Sequence, residues 1–269
     1  MHVSVHEKVK IVLLCPDTGS NATLTPQKDL AVITAEQQKQ VDGVMELLSA
    51  HIANPPWEEW MVEVFTGSID YAAEMLELSA DEVLDYLEEP PLGQMAHAHV
   101  FEHFITTETN EDDESVLSEF IRTRVEQQTG SFACQYINAL NKATLGLWEV
   151  MGFTAGKSAQ VRQLGTTGPV LEVPLEADSI PKNICIASRL LTLADGSHTF
   201  SFGLLPVDRN EADDILAYLE QVRTEMLETA QSEGHAHDAA DVEAAIREEL
   251  TDLMFHETFA SWISQGFEE

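Results

Sequence analysis

The hydrophobic period of the chain changes twice, and this restricts the fold more than any other feature. From Thr34 to about residue 128, apolar residues recur every three or four positions, as on one face of an amphipathic helix. Between Gly146 and Leu205, glycine turns separate short apolar runs, and Asp195-Gly196 is a strong hairpin signal. The helical period returns after residue 210. The sequence therefore predicts an α+β fold with an acidic helical N-terminal part, a small antiparallel β-sheet in the middle, and C-terminal amphipathic helices.

These changes of period divide the chain into three predicted domains. Residues 1–121 form a mainly helical acidic region with an N-terminal strand over 5–15, residues 122–209 form an α+β domain with the antiparallel sheet, and residues 210–269 form acidic C-terminal helices. The predicted strands of the sheet are 147–150, 159–164, 170–173, 184–193 and 198–205. Helices are predicted over 92–107, 113–128, 211–230 and 241–263, among others.

Capping residues predict where the N-terminal helices begin. Thr34 and Gln37 have the spacing of a capping box, and so do Ser79 and Glu82. Ser68 is a further candidate N-cap. Prolines at 55–56 and 90–91 are expected to end the helices that precede them.

Residues 69–87 have the spacing of a helix-turn-helix motif. Glu77 stands where the turn would normally carry glycine, and the second helix is rich in carboxylates that phosphates would repel. We therefore expect this segment to be a packing unit that does not read DNA. The sequence also has no P-loop, no G-x-G-x-x-G and no G-x-S-x-G motif.

The acidity of the chain is concentrated in two segments. In total, 47 Asp and Glu residues face 14 Lys and Arg residues, which gives a formal net charge of −33 and a pI of about 4.4. Residues 40–121 contain 20 acidic residues and no Lys or Arg, and residues 210–269 contain 16 acidic and two basic residues. Residues 122–209 are almost neutral, with eight basic and seven acidic residues. The overall field opposes binding to nucleic acid or to an anionic membrane.

Three interpretations of this charge remain open: adaptation to high salt, ordinary solvated helix faces, and a functional anionic surface. A halophilic surface should be acidic throughout, whereas the middle of this chain is neutral. Glu outnumbers Asp by 31 to 16, which suits solvated helices because Glu is the better helix former. On the third interpretation, the candidate binding residues are Glu58, Glu59, Asp81, Glu82 and Asp85.

The sharpest chemical motif is H-x-x-E-H at His99, Glu102 and His103. On a helix the two histidines lie one turn apart and could share a zinc ion, with Glu102 as the general base on metal-bound water. Zinc is thus a possible cofactor only on this interpretation; otherwise we expect no cofactor. A third ligand is needed, and Glu172 and Glu176 follow in a predicted strand and loop rather than in a helix. The alternative is that these are ordinary packed histidines.

Four arginines of the neutral middle could converge on an anion. They are Arg122, Arg124, Arg162 and Arg189.

Cysteine usage and hydropathy predict a soluble, cytoplasmic protein. The apolar run over 9–15 is interrupted by a lysine and is much shorter than the roughly 18 residues of a membrane span. The three cysteines are odd in number and far apart, which is typical of reduced thiols.

A series of short motifs between residues 121 and 206 resembles a family of uncharacterised bacterial proteins, often from mobile elements or plasmids. The motifs are Ile121-Arg122-Thr123-Arg124, Tyr136-Ile-Asn-Ala139-Leu140, Leu147-Trp148-Glu149-Val150, Ala155-Gly156, Val161-Arg162-Gln163-Leu164, Ala187-Ser188-Arg189-Leu190 and Gly203-Leu204-Leu205-Pro206. The resemblance covers roughly residues 92–222. Trp148 and Gln163 stand where the family has Tyr and Asp, and the usual Gly-Trp is missing. The family has no established activity, so the resemblance implies a fold and a bacterial origin only.

These observations favour an interaction protein with no catalysis of its own. We expect it to bind a protein partner with a basic surface through its acidic helices, and to bind neither nucleic acid nor membranes. Two alternatives remain: a metal-dependent hydrolase that uses the H-x-x-E-H helix, and an anionic nucleic-acid mimic that occupies a basic protein.

The charge distribution predicts a salt-dependent stability. Because charges repel over about 30 Å at 0.01 M salt, the two acidic segments should destabilise the fold in dilute buffer. The melting temperature should therefore rise between dilute buffer and about 0.5 M salt. An unchanged melting temperature would mean that the two segments hardly interact.

Overall fold

The computed structural model describes residues 33–125, 131–175, 177–232 and 239–267. These residues form eight α-helices, one short π-helix and six strands, all paired antiparallel in a single sheet. Helices lie on both sides of the sheet along the chain, so the predicted α+β class is confirmed. The strand predicted over 5–15 lies outside the described residues.

The helices are α1 (Ala35–Ile52), α2 (Trp57–Met75), α3 (Ala80–Leu87), α4 (Leu92–Thr107), α5 (Val116–Phe120), α6 (Ser131–Leu140), α7 (Arg209–Ser232) and α8 (Ala239–Ser264), with the π-helix (Ile121–Val125) directly after α5. The strands are β1 (Leu145–Thr154), β2 (Ser158–Gln163), β3 (Leu171–Pro174), β4 (Ile184–Thr192), β5 (His198–Phe200) and β6 (Leu205–Asp208).

Two of the three predicted N-caps are confirmed. The Thr34 hydroxyl accepts a hydrogen bond from the Gln37 backbone N–H at 3.2 Å, and the Gln37 side chain accepts one from the Thr34 backbone N–H. Ser79 caps α3 in the same way. The prediction for Ser68 is wrong, because Ser68 is buried inside α2 and donates its hydroxyl to the Val64 carbonyl at 2.7 Å. That bond satisfies the hydroxyl without breaking the helix.

The helix-turn-helix spacing corresponds to α2, a short turn and α3. Glu77 occupies the turn with φ of 54°, the left-handed conformation in which glycine is usual. Ile69, Val83 and Leu87 are buried in the core, so the two helices pack as the spacing predicted.

The sheet has the strand order β3-β2-β1-β4-β5, and β6 also pairs with β4. This confirms the antiparallel sheet predicted for the middle of the chain. A register shift in β1 between Val150 and Gly152 bends the strand, and β3 comes close to β5, at the opposite end of the order. The sheet therefore curls around its own small core, which includes Trp148, Val161 and Phe200.

The prediction of a single strand over 198–205 is wrong, because this segment contributes to two strands, β5 and β6. The residues between them, Ser201 to Leu204, leave the sheet ladder and turn towards α4. Gly203 donates its backbone N–H to Glu102 and accepts a hydrogen bond on its carbonyl from His99. A Cβ at position 203 would lie only 3.0 Å from the Glu102 carboxyl carbon, so a larger residue there would have to displace the Glu102 side chain.

Helix α4 lies between the two larger core clusters. One cluster joins α2, α3, α7, α8 and the sheet, and draws on all three predicted domains; Ala72, Leu147, Ile215 and Phe259 are examples. The other joins α1, α5 and α6 to α4. The predicted domain boundaries stay predictions. Among the described helices, none is both long and apolar enough to cross a membrane.

Candidate functional site

The H-x-x-E-H motif lies on α4, in the interior of the protein. His99 and Glu102 are fully buried, and His103 is nearly so. Helix α4 carries apolar side chains on almost every side, and a core cluster packs against it on each of two sides. Each of the three polar residues therefore needs a partner inside the protein.

Both carboxylate oxygens of Glu102 are engaged. Oε1 accepts hydrogen bonds from Arg189 Nη1 at 3.2 Å and from the Ser201 hydroxyl at 2.7 Å. Oε2 accepts the backbone N–H of Gly203 at 2.9 Å. Glu102 thus forms a buried ion pair and two further hydrogen bonds, which together balance the cost of burying its charge.

Arg189 extends this network from α4 into the sheet. Its Nη2 donates to Thr106 on α4 at 2.8 Å, and its backbone carbonyl accepts from the Ser201 N–H at 2.9 Å. Its Nε is buried without a hydrogen-bond partner. The network ties α4 to β4 and to the loop 201–204, and its role is to hold these elements together.

His99 is a packed, neutral histidine. Its Nδ1 lies 2.8 Å from the Gly203 carbonyl, so Nδ1 carries the proton and donates it. Its ring stacks near Phe255 and Phe259 on α8, with ring centroids 5.2 Å and 6.4 Å away. Burial lowers the pKa of His99 to about 3, and the Gly203 hydrogen bond opposes this only in part.

His103 stacks on the same phenylalanine. Its ring centroid is 3.8 Å from that of Phe255, with the planes 5° apart, and its Nε2 lies 3.4 Å from Asp252 Oδ1. Burial lowers the pKa of His103, and Asp252 opposes the shift. The ring of His256 is 6.4 Å away, and burial lowers its pKa also. These contacts fasten α4 to α8.

The residues proposed as zinc ligands do not gather a third ligand in the described parts of the chain. No group of three or more His, Cys, Asp or Glu residues is placed there to hold a metal ion. Glu172 lies on β3 and accepts the Ser158 hydroxyl at 3.0 Å, and Glu176 lies outside the described residues. The geometry gives Glu102 the role of an arginine partner; the hydrolase interpretation stays a prediction without support from this arrangement.

Three of the four arginines that could converge on an anion are each paired with a different carboxylate. Arg122 binds Glu114, Arg162 binds Glu149, and Arg189 binds Glu102, whereas Arg124 lines a surface pocket with His51 and Phe120.

The five predicted binding residues all lie at the surface. Glu58 and Glu59 lie in the first turn of α2, and Asp81, Glu82 and Asp85 lie on α3. Within the described residues, none of the five forms an ion pair with Lys, Arg or His. Glu82 has a second task, because it accepts hydrogen bonds from the Ser79 N–H and hydroxyl, and these bonds lower the pKa of Glu82.

The partners of the α4 motif had no local signal in the sequence. Arg189, Ser201, Gly203 and Phe255 lie between 87 and 156 positions from the motif residues that they contact. Only the tertiary structure brings them together.

Comparisons with protein-family models, with curated proteins and with solved structures gave no match for this chain. The resemblance of residues 92–222 to a bacterial family therefore stays a prediction. Arg189, which belongs to one of its motifs, is the buried partner of Glu102.

The Glu102–Arg189 pair predicts a characteristic pattern of stability. Glu102→Gln or Arg189→Met should each lower the free energy of unfolding by about 3–5 kcal/mol, because each leaves a buried charge unpaired. The double variant should lose less than the sum of the two. Urea unfolding of the four proteins measures this, with the exposed Glu63→Gln as a control that should change stability by less than about 0.5 kcal/mol. Additive losses would show that the two charges do not interact.

Burial of neutral histidines predicts a loss of stability in acid. In the unfolded chain His99 binds a proton below pH of about 6.5, whereas in the folded protein its pKa is about 3. The contribution of neutral His99 to the free energy of unfolding is complete above pH of about 6.5. It is lost as the pH falls towards 3, at up to about 1.4 kcal/mol per pH unit. His99→Phe, which keeps the ring stacking, should flatten the dependence of unfolding free energy on pH between 6 and 4. Equal slopes for the variant and the native protein would contradict a neutral, buried His99.

Proposed function

We propose that the protein acts by binding a protein partner with a basic surface. The binding site is the acidic surface, defined as the exposed carboxylates of α2 and α3. These are Glu58, Glu59, Glu63, Asp70, Glu74, Asp81, Glu82 and Asp85. The observation that carries the proposal is that all of them are exposed while residues 40–121 contain no Lys or Arg to neutralise them.

The opposite faces of these two helices support the proposal, because they fix the carboxylates in place. Ile69 and Ala72 of α2 and Val83 of α3 are buried in the main core. The capping box at Ser79 also fixes the start of α3. Charges held on a packed framework need little rearrangement when a partner binds.

Among the described residues, no Lys or Arg forms an ion pair with a carboxylate of α2 or α3. Arg122, Arg162, Arg189 and Arg209 each form an ion pair with an acid outside α2 and α3. The field around the acidic surface therefore stays negative in the folded protein. Such a field speeds the approach of a basic partner and weakens as salt is added.

Exposed apolar side chains on the same two helices add contacts that charge alone does not provide. Val62 on α2 is 61% exposed and Leu84 on α3 is 43% exposed. The centres of protein interfaces carry fewer charged residues than their rims. Apolar residues among the carboxylates are therefore typical of a surface that binds a protein, whereas a surface that only attracts counterions does not need them.

We infer a cytoplasmic location in a bacterial cell, and no nucleic-acid ligand. The two described cysteines, Cys134 and Cys185, form no disulfide, which supports the first, as does the resemblance of residues 92–222. The net charge of −33 supports the second, because phosphates are repelled.

The test is the kinetics of partner binding at two salt concentrations. The partner is recovered from host lysate on immobilised protein and then purified. Changing Glu58, Glu59, Asp81, Glu82 and Asp85 to Gln or Asn should slow association about tenfold or more in dilute buffer and reduce its salt dependence.

A matched control changes five exposed carboxylates elsewhere to amides. They are Glu111, Asp112, Asp113, Asp178 and Asp214. This variant has the same net charge as the first and should slow association by less than about threefold, because these charges lie outside α2 and α3. Equal effects of the two variants, or no effect of the first, would contradict the proposal. A partner that is itself a DNA- or RNA-binding protein would favour the nucleic-acid mimic as the specific form of this function.

A further inference from the structure

The pair α7 and α8 continues beyond the core that it packs against. The buried residues of α7 are Ala212, Ile215 and Leu219, and none of residues 220–232 is buried. Those 13 residues make about 20 Å of helix. On α8, Ile246 is the one buried residue in 240–254, and it belongs to none of the three core clusters. We call residues 220–232 and 240–249 the arm.

The arm has an apolar seam that its two helices cover only in part. Val222, Met226 and Ala230 recur at four-residue intervals on α7, with Leu227 beside Met226, and Val242 and Ile246 do so on α8. Ile246 is buried, and the others are partly exposed. Helices α7 and α8 are in contact, and Arg223 Nη2 on α7 lies 3.7 Å from Glu243 Oε1 on α8.

The seam lacks a third layer among the described residues. Apart from their contact with each other, α7 packs mainly against β4 and β6, and α8 packs mainly against α2, β6, β1 and α4. The buried residues place these contacts in 209–219 of α7 and, except for Ile246, in 255–263 of α8. In helical bundles, a third or fourth helix covers such a seam.

The charged residues beside the seam favour a helix of positive charge as the element that covers it. Arg223 and Arg247 are the basic residues of the arm. Its acidic residues are Glu220, Glu225, Glu228, Asp241, Glu243, Glu248 and Glu249, all exposed. A second copy of the chain would bring the same excess of negative charge and be repelled. A helix with Lys or Arg beside its apolar face would be attracted.

We propose that the arm binds an amphipathic, basic helix of another protein, which completes a three-helix bundle along the seam. This site lies on different helices from the acidic surface and does not depend on it. Apolar contact along the seam gives the bound helix its position, and the flanking carboxylates pair with its cations.

The experiment uses the full chain and a synthetic peptide as the probe. The peptide is an amphipathic helix of about three heptads, with leucine at the a and d positions and lysine at the others. A scrambled peptide of the same composition has the same charge but no apolar face. The heptad peptide should bind at least about tenfold more tightly than the scrambled one, because only it can fill the seam.

A variant with Met226→Gln and Leu227→Gln should lose about tenfold or more in affinity for the heptad peptide. Its melting temperature should stay within about 2 °C of the native protein, since neither residue is buried. Val170→Gln, at an exposed apolar residue outside both proposed sites, is the matched control and should change the affinity by less than about threefold. Hydrogen exchange should slow on peptide binding in 220–232 and 240–249, and not in α2 or α3.

Three results would overturn the proposal. The first is equal binding of the two peptides, which would mean that charge alone attracts them. The second is unchanged affinity of the Met226→Gln, Leu227→Gln variant. The third is a native dimer that this variant converts to monomer, which would identify a second copy as the occupant. Because the acidic surface is tested with variants of α2 and α3, failure of one site is distinguishable from failure of the other.

Discussion

The structure depends on one buried ion pair, Glu102 with Arg189. A charged pair in the interior is costly unless most of its remaining hydrogen-bonding groups also find partners. Ser201 and Gly203 meet those of Glu102, and Thr106 meets one of those of Arg189. This requirement takes the loop 201–204 out of the sheet and against α4, and so ends β5 after three residues. It also places α4 at the centre of the protein, between two core clusters.

The elements that the sequence predicted correctly are those set by local rules. The cap at Thr34, the cap at Ser79 and the full extent of α4 depend on residues within a few positions of one another. Ser68 and the strand over 198–205 were predicted wrongly for the opposite reason. The Ser68 side chain faces a buried surface, and Gly203 is drawn away by a carboxylate 101 positions earlier. No periodicity contains that information.

The H-x-x-E-H spacing was ambiguous for a related reason. Placing two histidines on one helical face suits a shared metal, and it equally suits stacking of both on one phenylalanine. In this protein the second arrangement is present, with Phe255 against both rings. The spacing of Glu102 likewise suits either a general base or a buried anion. Arg189 determines which of the two roles Glu102 has, because it forms an ion pair with Glu102. It lies 87 positions further along the sequence, so only the fold shows that the two residues are in contact.

The distribution of cations connects the interior to the surface. Four arginines between residues 122 and 209 form ion pairs with carboxylates outside α2 and α3, and no described cation forms an ion pair with a carboxylate of those two helices. The acidic surface and the arm then differ in what they contribute to binding. A field acts over distance and mainly sets the rate of association, whereas an apolar seam acts only on contact and mainly sets the rate of dissociation. If one partner uses both sites, added salt should change its association rate, and substitution of Met226 should change its residence time. Measuring the association and dissociation rates separately would therefore show how much each site contributes to the affinity, even before the structure of the partner is known.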